Sequence, residues 1–204
     1  MQRFRVALIL LAFIALSAPS TTLAKAYPIG LSLFDPVQIP HRSNSITGAR
    51  FTVLYGRHHN LHGADVGGLV LPISINHLTG EMRGAQFGLA NWVDGDMYGA
   101  QLGTVNRAGG NATGFQGGLI NISGEANRFL AQWGFVNLSH GSHHGFQVGF
   151  INHSAHITGA QVGILNHARR LDGLQVGLLN IRQQPRMNMP DASPTVFPIV
   201  TWSF

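Results

Sequence analysis

Cysteine is absent from the 204-residue chain, which excludes disulfides, thiolate metal ligands and a lipid-modified N-terminal cysteine. Lysine is nearly absent too: Lys25 is the only one. Acids are scarce, eight in all; none is paired at a spacing that suits acid–base work, and the serines lie in turn-like stretches without a nucleophile motif. The expectation is a protein that is not an enzyme and uses no cofactor. Charge is equally thin. The formal net charge is +5, but Arg3, Arg5 and Lys25 fall within the first 26 residues, and beyond them ten arginines face eight acids, a formal +2. Only Arg169-Arg170 are adjacent, so nothing indicates nucleic acid as a partner. Beyond the N-terminus no apolar run approaches the ~20 residues of a membrane-spanning helix.

The N-terminus itself carries a leader pattern. Arg3 and Arg5 precede an apolar stretch, Val6 to Ala18, and Ala24-Lys25-Ala26 supplies small residues for cleavage, with Thr22-Leu23-Ala24 as a neighbouring alternative. The stretch is short for an anchor, so residues 1–26 read as a cleaved signal peptide. The expectation is an exported protein of the outer membrane or cell surface.

What the chain has in abundance is one eight-residue unit, GxQxGxxN. It occurs intact from Gly84 to Asn91, Gly99 to Asn106, Gly114 to Asn121, Gly145 to Asn152, Gly159 to Asn166 and Gly173 to Asn180. Leu130 to Asn137 is a further copy lacking its first glycine. The glutamines are Gln86, Gln101, Gln116, Gln132, Gln147, Gln161 and Gln175; the asparagines are Asn91, Asn106, Asn121, Asn137, Asn152, Asn166 and Asn180. Such a period marks a repeat architecture, and these residues are its structural signature. Stretches beginning at Gly48 and Gly63 read as degenerate copies without the Gln and Asn.

Within a copy, positions two, four and six are apolar (Phe146, Val148 and Phe150, for example), whereas one, three and five are Gly, Gln, Gly. Alternation of period two is a strand with two unlike faces, and intervening stretches such as Arg107-Ala-Gly-Gly-Asn111 read as turns. Position seven breaks the alternation, being apolar in every copy and followed by Asn, which implies a bend, a bulge or changed surroundings. An all-β fold follows. The favoured form is a repeat-built up-and-down antiparallel β-barrel of about 10–12 strands, greasy face to lipid and Gly/Gln face inward. The alternative is a parallel β-solenoid, greasy face inward, with Asn and Gln stacked in ladders. Either way the greasy face meets hydrocarbon or core, so Phe150→Asp and Val176→Asp are expected to be badly tolerated.

The C-terminus alternates from Val196 through Trp202 and stops on Phe204, like the closing strand of bacterial outer-membrane barrels, where the terminal Phe is an insertion signal; Pro198 belongs at an edge or bulge. The lead-in Pro28-Ile-Gly-Leu-Ser-Leu-Phe-Asp-Pro-Val-Gln38, the Leu54-Tyr-Gly56 unit, the GxQxGxxN array and Phe197-Pro-Ile-Val-Thr-Trp-Ser-Phe204 together resemble a widespread bacterial family of surface repeat-containing proteins. That resemblance implies an exported, outer-membrane, β-rich protein and brings no catalytic residue or ligand with it. The lipid bilayer and the barrel-insertion machinery are the partners expected. The chain reads as one domain, 27–204: lead-in 27–45, degenerate repeats 46–80, intact repeats 84–181 and closing strand 195–204. The functions in view are a surface structural repeat protein, possible as a small barrel or pore, and a secreted solenoid scaffold binding a surface partner or ligand.

Two further patterns are weighed and set aside. Histidines at His140, His143 and His144 are candidate Zn or Cu ligands, but without cysteine and with few acids nearby they read as polar turn residues, and no metal site is assigned. The sequons at Asn111, Asn121, Asn137 and Asn152 read mostly as the repeat Asn followed by a chance Ser.

Overall fold

The computed structural model describes residues 25–68, 73–124, 126–183 and 194–203. Most of the expected leader and the terminal Phe204 lie outside the described residues. The described residues form strands and turns with no helix, which agrees with the all-β expectation.

Repetition dictates how those strands pair. Met82–Phe87 lies parallel to Met97–Leu102 with Gly84 opposite Gly99 and Gln86 opposite Gln101. The same register continues through Gln101↔Gln116, Gln116↔Gln132, Gln147↔Gln161 and Gln161↔Gln175. A second row of strands stacks the asparagines, as in Asn91↔Asn106 and Asn137↔Asn152. The chain is therefore a parallel β-solenoid of about 10 turns, and the up-and-down barrel is corrected. In a barrel, antiparallel neighbours would place the Asn of successive copies at alternate ends; parallel stacking puts each copy on its own counterpart, where its amide finds an identical partner. The degenerate copies belong to the same stack, with Ala49 on Ala64 and Gly63 on Gly84.

Each turn bends sharply just before its Asn. Gln86 and Asn91 are both buried, although an odd separation along one flat strand would set them on opposite faces. The chain bends at Gly88 and Leu89, so that Leu89 and Ala90 both face outward and Asn91 turns back in. This bend accounts for the apolar position seven. A second break in alternation falls at the first glycine: Met82 and Gln86 are buried while Gly84, at φ 131°, is exposed between them.

The interior is the reverse of an ordinary core. Among the described residues, buried polar side chains outnumber buried apolar ones, and all fourteen repeat Gln and Asn residues are at most 1% exposed. Hydrocarbon is confined to the ends of each turn, in stacks such as Met82, Met97 and Ala112, and Ile157 and Leu171. The greasy face points outward, with Trp133 68% and Leu178 67% exposed. The expected tolerance of that face is thereby reversed. Phe150 is half exposed, so Phe150→Asp is expected to lower the unfolding free energy no more than Ser142→Asp, a substitution in the strand Ala126–Val148, by less than about 1 kcal/mol in urea titrations. A loss of several kcal/mol would place the side chain inside after all.

Both ends of the stack are covered by antiparallel segments, which blunts edges that would otherwise pair with other chains. At the N-terminal end Val37–Ile39 folds back on Ala26–Phe34. At the C-terminal end Thr195–Ser203 runs antiparallel to Leu165–Arg182, setting Thr201 over Gln175. The last strand therefore caps a solenoid instead of closing a barrel. Pro198 sits where the register slips between Gly177 and Asn180, next to Ile199 at φ 71°, the edge-and-bulge setting that a missing N–H requires.

Candidate docking surface

Burying fourteen amides is costly unless their hydrogen bonds are met. Each Gln Nε2 donates to the Oε1 of the Gln one turn earlier, from Gln175→Gln161 through Gln101→Gln86, at 2.6 to 2.9 Å. Gln86 then donates to Asp65 Oδ2 at 3.3 Å, and Asp65 is paired with the buried Arg50. Asp65 and Arg50 occupy the Gln position in the two early turns, so a carboxylate receives the donor end of the amide row and a guanidinium neutralises it. The asparagines run the other way. Each Nδ2 donates to the Oδ1 of the next turn, from Asn76→Asn91 to Asn166→Asn180, at 2.8 to 3.0 Å. Each also donates to the backbone carbonyl just before the next turn's bend, as in Asn91→Leu102 O and Asn137→Val148 O. These carbonyls also accept a backbone N–H from the preceding turn, Leu102 O from Gly88 at 3.1 Å and Val162 O from Gly149 at 3.0 Å, so Asn fills their second acceptor site and ties the bend of one turn to the next.

All fourteen sequence-marked Gln and Asn residues are thus brought into two continuous rows, a structural role and no binding site. Asn76 and Asp65 extend the rows but escaped the sequence reading, because the step from Gly63 to Gly84 is longer than a repeat and hides the register. The sequon residues Asn121, Asn137 and Asn152 are buried in the Asn row.

The candidate histidines do not converge. His143 Nδ1 meets Ser139 Oγ at 3.2 Å, whereas His140 and His144 contact the carbonyls of Ser123 and Asn127. Among the described residues no cluster of three or more His, Cys, Asp or Glu could hold a metal ion. Burial pushes the His143 pKa down to about 4. Burial, reinforced by the adjacent Arg50 guanidinium, pushes His58 to about 3, where its Nδ1 accepts from Arg50 and its Nε2 donates to Pro40 O. Both histidines fold neutral, while the unfolded chain takes up protons near pH 6.5. Stability is therefore complete above about 6.5 and is lost on acidification towards about 4 and about 3. Urea midpoints should fall progressively across that window, and His143→Gln should flatten part of the slope. A flat profile would contradict the burial of these rings.

Outside, the repeat builds a continuous apolar band. It runs over position four (Phe87, Leu102, Trp133, Val148, Val162, Val176), around the bend (Leu89, Leu119, Phe135, Phe150, Ile164, Leu178) and onto position seven of the second sheet (Ile120, Ile151, Leu179). Phe135 and Phe150 stack at 4.7 Å between ring centroids. Gly117 takes the place of a large side chain at position four. It leaves a shallow groove of about 800 Å³ walled by Phe115, Trp133, Phe135 and Leu102. From the second to the seventh position of every intact repeat, the outward side chains include no charge, and Thr104 is the only polar one. Charged residues keep to the opposite edge: Arg83 with Glu81, His77 with Asp94, His156 with Asp172. Soluble monomers rarely expose contiguous apolar area beyond a few hundred Å², and larger patches mark interaction surfaces.

No family model, no curated protein and no solved structure matches the chain.

Proposed function

We propose that this protein is a non-catalytic β-solenoid scaffold, exported to the bacterial outer membrane or cell surface, whose working part is the apolar band. The observation that carries this reading is the inversion of the repeat. Amides that could face water are spent inside on holding one turn to the next, and side chains that could fill a core are displayed in a charge-free strip. Such a strip is costly in water and gains free energy only when covered, by roughly 25 cal/mol per Å² of apolar surface removed. Export is supported by the leader pattern and the resemblance to surface repeat proteins. This reading assigns no role to barrel-insertion machinery, since the described strands stack as a solenoid.

Fractionation of a producing bacterium tests the reading. Wild-type chain is expected to stay with the envelope after a high-salt wash, since hydrophobic contacts resist salt. A Val148→Asp/Phe150→Asp variant is expected to fold and be released. If this variant partitions as the wild type does, the band is not the working surface.

A further inference from the structure

Resting on the docking reading above, we propose that the band's occupant is the surface of a phospholipid bilayer, on which the solenoid lies with its axis in the membrane plane and its bend pressed into the acyl region. The shape of the band is the first argument. It covers both flanks of a convex corner: Trp133 and Val148 on one sheet, Phe135 and Phe150 at the bend, Ile151 and Leu179 on the other sheet. A second copy presents the same convex ridge, and two ridges meet along a line. A fluid hydrocarbon layer covers both flanks together.

The backbone supplies the second argument. In stacked turns the N–H and C=O groups point along the axis into neighbouring turns, so the band offers lipid only side chains and glycine backbone whose polar groups are already paired, as hydrocarbon requires. With strands about 4.8 Å apart, the seven GxQxGxxN turns make a strip of roughly 30 Å.

The third argument is the chemistry of the two borders. On one, the Arg83 guanidinium lies 5.3 Å from the Tyr98 ring centroid; on the other, Arg107 lies 4.4 Å from that of Trp92, whose indole N–H donates to Asp94. Aromatic rings with one polar edge, backed by cations, are the side chains that settle at the headgroup level, between hydrocarbon and water. One such pair at each border of the uncharged strip, both in its first turns, fits a surface that changes from acyl chain to phosphate over one side-chain length, and a protein partner would not need it on both sides.

The three tryptophans of the sequence, Trp92, Trp133 and Trp202, make the test direct. Single-tryptophan versions of the full chain, the others replaced by Phe, are mixed with phosphatidylethanolamine/phosphatidylglycerol vesicles carrying bromines on the acyl chains. Trp133, in the band, is expected to be quenched at least two-fold more than Trp92, at its border. Phe135→Asp/Phe150→Asp in the Trp133 version is expected to abolish that quenching without changing the far-ultraviolet spectrum. Should the double aspartate fail to fold, Phe135→Ser/Phe150→Ser replaces it. Because the N-terminal apolar stretch is present throughout, binding through it alone would leave Trp133 unquenched and overturn the proposal. Sedimentation without vesicles separates the two readings. A dimer that the same substitutions dissociate, with Trp133 unquenched, would overturn the lipid and keep a docking surface. Absence of quenching together with no effect of the substitutions on any association would overturn both.

Discussion

Gly99→Leu is expected to leave little or no folded protein. Gly99 sits at φ 136°, and a β-carbon there would lie 1.9 Å from Gly84 O, a backbone atom of the preceding turn that cannot swing aside. A side chain at that φ costs about 1–3 kcal/mol, and forcing the turns apart costs a comparable amount. Against a total stability of about 5–15 kcal/mol, that removes much of the margin. The chain contains its own control. Leu130 occupies the same position opposite Gly114, and it is not among the residues at positive φ. It is accommodated because its turn has one residue more: Gln116 and Gln132 are 16 apart, and the register slips between Ala112 and Gly114. Gly99→Leu with one residue inserted before it should regain part of the lost stability in urea titrations. Wild-type stability for the simple substitution would show that the close approach of the turns is not real.

Asn137→Leu is the second large effect. Asn137 accepts from Asn121 at 2.9 Å and donates to Asn152 at 2.8 Å and to Val148 O at 3.0 Å. Leucine nearly matches its size but strands Asn152 Oδ1 and takes one bond each from Val148 O and from Asn121 Nδ2, which keeps only Trp133 O; a buried group left unmet costs about 1–3 kcal/mol. The total should reach several kcal/mol in urea unfolding. Asn180 is the useful contrast. It ends the row, accepting from Asn166 and donating to Gly177 O in its own turn, so Asn180→Leu strands fewer partners and should cost about half as much. Equal losses at both positions would mean that the amides act singly and not as a row.

Much of this architecture was legible in the residues, but not all on one reading. The alternation and the anomaly at position seven are local, and each has its structural counterpart: two-faced strands and the bend at Gly88 and Leu89. The turn stretches hold only in part: Gly109 and Gly110 bend, whereas His140, His143 and His144, read as turn residues, lie in the strand Ala126–Val148 with His143 buried. The stacking of identical Asn residues was likewise written in their spacing. The terminal Phe and the leader pattern nevertheless favoured a barrel, because both report on where a chain travels and neither on how its strands pair. The barrel reading had the Gly/Gln face inward, as it is; only the solenoid alternative, with its greasy face inside, went astray on this point, for a different reason. Burying the apolar face is the better rule for an isolated strand, since an isolated Gln has no buried partner. Only after turn follows turn in register, Gln86 under Gln101 under Gln116, do the amides satisfy each other and become the better interior. The early turns were obscured because Arg50 and Asp65, two charges, stand where the pattern demands two amides.

The opposed directions of the two amide rows bear on how such a chain can change length. Dipoles aligned in a single row would add with every turn, and each added copy would raise the charge that the ends must neutralise. Here the Gln row points its donors toward the N-terminus and the Asn row toward the C-terminus, so a new turn contributes two nearly cancelling dipoles. The Arg50–Asp65 pair and the antiparallel end strands serve a stack of any height. Tandem duplication or deletion of one repeat therefore leaves the molecule electrostatically balanced. The length of the displayed strip is thus set by the number of turns alone, with both ends unchanged.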